Sequence, residues 1–379
     1  MQALSYTVIL VLAVQASATP LQLAFSPAWH QVEPASTTSS ARGDYRMEPV
    51  YNPYSGGTDA AELRMPSGFS RNIPERRIHS HNDYWRDVPV YTALSHGVRS
   101  IEADVWLNPK DDKLYVSHSV ASLTKARTFK SLYVDQLVLV LEHANVHDAE
   151  TTFFDETDFY SMDDVREERR PWTSFYEGNT TPIQLLVDLK TRGLETYHAV
   201  LDELEPLRRR EWLTSWNSTD IRLGPVRVLL TGNGINDQVR SLVAAQSERD
   251  VFLDARESVH RAYLNEPLSR SSEAALLRLD ETWTGTDGKM YSWNTTLAPM
   301  ANSASFASAT KWTGRKDITA QEERDLQTVL RSAQARGFET RLWSTPRFPT
   351  FVRDRVWRTL YDLETDWLDA DDIEAAAAF

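Results

Sequence analysis

From residue 76 onward, short apolar runs rich in β-branched residues alternate with stretches in which apolar residues recur every three to four positions. The first kind has the length and composition of buried strands, and the second has the period of amphipathic helices. Strands are predicted over 77–80, 100–107, 183–189, 226–231, 251–254, 290–293, 339–343 and 366–368, with 113–118 as a hairpin partner of the second. Helices are predicted over 88–96, 131–145, 194–210, 235–247, 271–281 and 321–336, the last closed by Gly337 as a C-cap. Such alternation implies βα units and a mainly parallel sheet. Eight units in one domain predict a TIM-type (β/α)8 barrel over 76–373, with a doubly wound open sheet as the alternative.

Two regions break the rhythm. Residues 26–74 are rich in Ser, Thr, Pro and Gly, and 19–75 is read as a disordered leader. Before it, an apolar core at 6–14 and Ala16-Ser17-Ala18 have the form of a signal peptide over 1–18. Its apolar run is too short for a membrane span. Sequons at Asn179, Asn217 and Asn294 agree with a secreted or vacuolar glycoprotein, an organelle leader being the alternative. The acidic, aromatic stretch 147–177 reads as a rim loop or lid, or as a solvated insertion.

Composition narrows the chemistry. The net charge of −13 argues against nucleic acid or an anionic membrane as a standing partner. Absence of Cys excludes disulfides, zinc-thiolate sites and thiol nucleophiles. A monomer with a small-molecule or lipid substrate and no transmembrane segment is expected.

The candidate site is concentrated in 79–119. Glu102 and Asp104 stand two residues apart on a strand and so project to one face. Two adjacent anions repel unless a cation or a shared proton lies between them. Asp188 interrupts the apolar run 185–189 and needs a partner as well. With Asn82 these three carboxylates form an all-oxygen set suited to Mg²⁺ or Ca²⁺. His81 and His118 flank the set as general base and general acid, and Lys190 is placed to hold a phosphate. His79, two residues before His81, is the rival for the catalytic role.

These residues resemble known motifs. His81-Asn82-Asp83-Tyr84 resembles the His-Asn motif of eukaryotic phosphoinositide-specific phospholipase C, which implies a catalytic His and a metal-binding Asn. Ile101-Glu102-Ala103-Asp104-Val105-Trp106 is similar to the metal strand of that superfamily, of glycerophosphodiester phosphodiesterases and of spider sphingomyelinase D toxins. Asp188-Leu189-Lys190 resembles the toxins, whereas Leu342-Trp343-Ser344-Thr345 and Glu364-Thr365-Asp366-Trp367 resemble the last two strands of glycerophosphodiesterases. Taken whole, the chain resembles the fungal altered inheritance of mitochondria protein 6 family, through the run from His79 to Asp87 and through Ser131-Leu132-Tyr133-Val134-Asp135. The resemblance implies a phosphodiesterase acting on a glycerophosphodiester or a phospholipid head group. Asn82-Asp83 replaces the Arg-Gly usual after the first His in glycerophosphodiesterases, which leaves the substrate open. An inactive barrel serving as a binding or maturation factor is the alternative function. A glycosidase is disfavoured, because Glu102 and Asp104 stand too close together to flank a sugar bond.

Overall fold

The computed structural model describes residues 70, 73–144, 175, 182–191, 193–255, 278–301 and 305–379. The expected signal peptide and most of the leader lie outside those residues. So do 147–177 apart from Phe175, Asn179, and most of the expected helix 271–281.

Nine strands organise what is described. They are β1 (Arg76–Ser80), β2 (Val98–Asn108), β3 (Lys113–Val116), β4 (Ile183–Leu189), β5 (Val226–Gly232), β6 (Val251–Leu253), β7 (Met300–Ala301), β8 (Glu339–Thr340) and β9 (Leu368–Ala370). A seven-stranded sheet runs β9-β1-β2-β4-β5-β6 in parallel, with β3 antiparallel on β2. Strands β7 and β8 pair in parallel with each other. Single parallel bridges join Asp254 to Met300 and Arg341 to Trp367.

Strand alternation divides the interior. Ile101, Ala103 and Val105 of β2, Leu185, Val187 and Leu189 of β4, and Val228 and Leu230 of β5 join the main core. That core includes helix residues such as Leu94, Leu137, Val200 and Val239. Intervening residues Leu186 and Leu229 meet Phe252, Met300 and Trp367 in a separate apolar cluster. Beside it, Arg227 pairs with Glu339 at 2.8 Å, and Trp367 Nε1 donates to Glu339 Oε2 at 2.7 Å. Side chains from strands far apart in the sheet order therefore converge on one face.

The longer helices are α1 (Pro89–Ser95), α2 (Asp135–Ala144), α3 (Leu194–Glu203), α4 (Asp237–Ala245), α5 (Ala320–Gln334) and α6 (Thr350–Asp362). Helix α5 opens with a capping box between Thr319 and Glu322. The expected helix 194–210 breaks after α3 and resumes as one turn, Glu205–Arg208, because Pro206 lacks the N–H needed to continue the ladder.

Two further expectations are corrected, and one element is added. The 290–293 run is not a strand of the parallel sheet. Met290–Ser292 pairs antiparallel with Thr282–Thr284, and Trp283 and Trp293 enclose the Arg240 guanidinium on α4. The parallel position it was expected to fill belongs to β7. The last strand lies two residues later than 366–368, since the Asp366 carboxylate accepts from the Thr340 backbone N–H at 2.9 Å and from its hydroxyl at 2.8 Å. Helix α6 is an addition, burying Val352, Val356, Trp357 and Leu360 along one side.

Candidate active site

Parallel register builds the site. Asp104 of β2 stands opposite Asp188 of β4, and Asp188 opposite Thr231 of β5. Glu102 shares the face of Asp104, one repeat below it. Oxygens of Glu102, Asp104 and Asp188 all lie within 4.8 Å of one another, and the first two residues are buried. Gly232 follows Thr231 at φ +61°, where a Cβ would overlap the Asp188 carboxylate. Only glycine permits that approach. Behind β2, the Tyr133 hydroxyl donates to the Glu102 carbonyl at 2.6 Å. This gives the Ser131–Asp135 run a physical role: it holds the acidic strand.

An ammonium group meets two of these three acids. Lys190 Nζ lies 2.6 Å from Asp188 Oδ2 and 2.9 Å from Asp104 Oδ2. Burial, then the charges of Glu102 and Asp188, push the Asp104 carboxyl up to about 7 in spite of Lys190. Burial pulls Lys190 down, but the two aspartates outweigh it and hold the ammonium above its ordinary range. Burial alone would raise Glu102; neighbouring His79 and the charges of His81 and Arg341 hold it well below the usual carboxylate range.

The loop after β1 supplies the other groups. Asn82 adopts the left-handed conformation at φ 51°, which Asn tolerates better than most residues. Its backbone N–H donates to Glu102 Oε2 at 2.7 Å, and its Oδ1 accepts from the Tyr84 hydroxyl at 2.6 Å. The same hydroxyl reaches Asp104 Oδ2 at 2.8 Å. His81 Nδ1 lies 3.0 Å from Asp371 Oδ1 and 4.0 Å from Asp369 Oδ1. Burial pulls His81 down, yet Asp369, Asp371 and Glu102 prevail and raise it to about 9. His81, expected as the general base, therefore favours its charged, proton-donating form. His79 is fully buried beneath the site, with Nδ1 2.7 Å from Ser100 Oγ and Nε2 3.9 Å from Glu102. Burial, then Arg341, lowers its pKa, so it is a neutral support for Glu102.

All seven candidate residues border one cleft of about 170 Å³: His81, Asn82, Glu102, Asp104, His118, Asp188 and Lys190. Thr231, Arg341 and Trp343 complete its lining. Arg341 is buried and donates to Asp369 Oδ2 at 2.7 Å. Asp369, Asp371, Tyr84 and Arg341 are absent from the sequence-based set. The signal for the aspartates is the i, i+2 spacing of Asp369 and Asp371, the same as that of Glu102 and Asp104; placing the strand two residues early hides it. Asn217 and Asn294 are both exposed, away from the cleft.

Fold and site together define an α/β protein with a parallel sheet and an acidic cleft at the C-terminal strand ends. Residues 67–254 match the model of the AIM6-like phosphodiesterase domain. The altered inheritance of mitochondria protein 6 homolog of Arthroderma benhamiae is 28% identical over 341 residues, spanning 88% of this chain and 92% of that protein. The Eremothecium gossypii protein is 28% identical over 319 residues, with 82% and 71% covered. The Saccharomyces cerevisiae protein of strain RM11-1a is 25% identical over 324 residues, with 82% and 72% covered. The chain belongs to the altered inheritance of mitochondria protein 6 family, which is of phosphodiesterase type.

Proposed function

We propose that this chain is a divalent-cation-dependent phosphodiesterase whose strands close into a (β/α)8 barrel. The two parallel bridges on either side of the β7–β8 pair support closure. The observation that carries the function is three clustered carboxylates with a single ammonium, between two histidines in one cleft. The donor set fits a hard cation: every candidate ligand is an oxygen, and Lys190 leaves Asp104 protonatable near neutrality. Glu102, Asp104, Asp188 and Asn82 would hold Mg²⁺ or Ca²⁺. When bound, the cation supplies charge that offsets what builds on the phosphoryl oxygens.

The chain's own groups do the rest. Lys190 holds a phosphoryl oxygen as a point charge. His81, charged and oriented by Asp371, is suited to give a proton to the leaving oxygen. His118 borders the cleft as the group that takes a proton from the attacking water or substrate hydroxyl. Glycerophosphodiesters and phospholipid head groups are the substrate classes this cleft suits. Exposure of Asn217 and Asn294 supports passage through the secretory route. Among the described residues no helix is long and apolar enough to cross a membrane.

The test is turnover of diesters by the purified chain with Mg²⁺, Ca²⁺ or chelator. Turnover should require a cation and fall at least about hundredfold in Asp188→Asn. Turnover indifferent to both would refute the reading.

A further inference from the structure

Half of the large apolar side chains left exposed among the described residues lie in stretches of chain that follow residues lining this cleft. Trp85 is 54% exposed, Val120 63%, Phe348 84% and Phe351 58%, with Val88 the fifth. They come from three stretches of chain: after β1, after β3, and from the β8–α6 loop into the first turn of α6. Contacts tie these loops together at the site. The Trp85 ring lies 6.2 Å from that of cleft-lining His118, and the Arg347 guanidinium lies 5.9 Å from the Trp85 ring. Arg347 Nε reaches Asp371, the partner of His81, at 3.5 Å, and Arg127 donates to the carbonyl of Arg86 at 2.8 Å. Single exposed aromatics need no explanation, whereas a group of them around one opening marks a contact surface.

Charge selects the partner. A chain of net charge −13 is repelled by an anionic surface. Yet segments 84–88, 118–127 and 343–351 carry Arg86, Lys125, Arg127 and Arg347 against one carboxylate, Asp87. Arg86 and Arg127 turn inward onto backbone carbonyls, while Lys125 and Arg347 are exposed. Aromatic side chains with a few cations match a zwitterionic phospholipid layer, where rings enter the acyl boundary and cations meet phosphates. A protein seated on this rim would cover the cleft at its centre. A lipid layer would instead present head groups to it.

We propose that the mouth is an interfacial lipid-binding rim and that the cleft acts on a zwitterionic phospholipid presented in a bilayer or micelle. The second half rests on the phosphodiesterase reading; the first does not. The experiment floats the full chain with phosphatidylcholine vesicles and compares it with the Phe348→Ser, Phe351→Ser double variant, whose exposed positions lie outside the cleft lining. Wild type floats, the variant partitions roughly tenfold less, and salt changes neither much. Cleavage of lysophosphatidylcholine micelles falls in parallel, while soluble glycerophosphocholine is cleaved at the wild-type rate. Failure of wild type to float, or equal flotation of the variant, overturns the rim. So does binding confined to phosphatidylglycerol vesicles and lost in salt, or wild-type self-association that the variant abolishes. Flotation lost in the variant with no diester cleaved establishes the rim but overturns the substrate and the reading beneath it. Equal loss on soluble and micellar substrates overturns the interfacial role.

Discussion

Asp369 and Asp371 together favour the charged form of His81, and Asp371 is the one that touches its ring. Its carboxylate lies 3.0 Å from the His81 ring and also accepts from the Asn82 amide at 2.9 Å. It therefore orients the proposed proton donor and a proposed metal ligand together. With Asp369 and Glu102 it raises the imidazole from 6.5 to about 9. The charged form is thus favoured by folding. This contribution is complete below about pH 6.5 and is lost as pH rises through about 9, on the order of 3 kcal/mol. In chelated protein, urea midpoints should fall between about pH 6 and about pH 10, and Asp371→Asn should flatten that fall. An unchanged slope in the variant would remove Asp371 from this role. At this scale the sequence discloses the residues that sit in motifs. It does not disclose Asp371, which is far along the chain from His81 and meets it only when β9 lies beside β1.

Strand register turns separate motifs into one site. Asp104 and Asp188 are 84 residues apart in sequence and adjacent in the sheet, because β2 and β4 pair in parallel without a shift. Runs such as 183–189 are apolar, β-branched and bounded by turns, so their strands are readable from sequence alone. The 290–293 run looks the same locally, but it packs its Trp against Arg240 in a hairpin. Tertiary contacts decide such cases. Pairing also brings Gly232 of β5 against Asp188. Gly232→Ala should cost about 1–3 kcal/mol in stability and roughly 10–100-fold in cation affinity, measured by calorimetric titration of Mg²⁺ or Ca²⁺. Unchanged affinity in a folded variant would show that Asp188 has room to move and that the close approach is not what positions it.

The whole molecule combines an acidic chain with a locally cationic, apolar mouth over an acidic cleft. Net charge, read from composition, correctly describes the chain and misdescribes this surface, because the three loops that form it are distant in sequence. The parallel sheet and the acidic strand ends were legible in strand spacing. Which loops adjoin the cleft was not, since loop placement depends on the packing of α1, α6 and β3 around the sheet. One measurement reaches the central claim most directly: phosphorus NMR of glycerophosphodiesters, lysophospholipids, sphingomyelin and phosphoinositides incubated with the purified chain. A phosphomonoester or cyclic phosphate resonance should appear with Mg²⁺ or Ca²⁺, vanish with chelator, and weaken by roughly 10²–10⁴-fold in His81→Ala. Product formation untouched by both chelation and the substitution, or no cleavage of any diester with either ion, would contradict it.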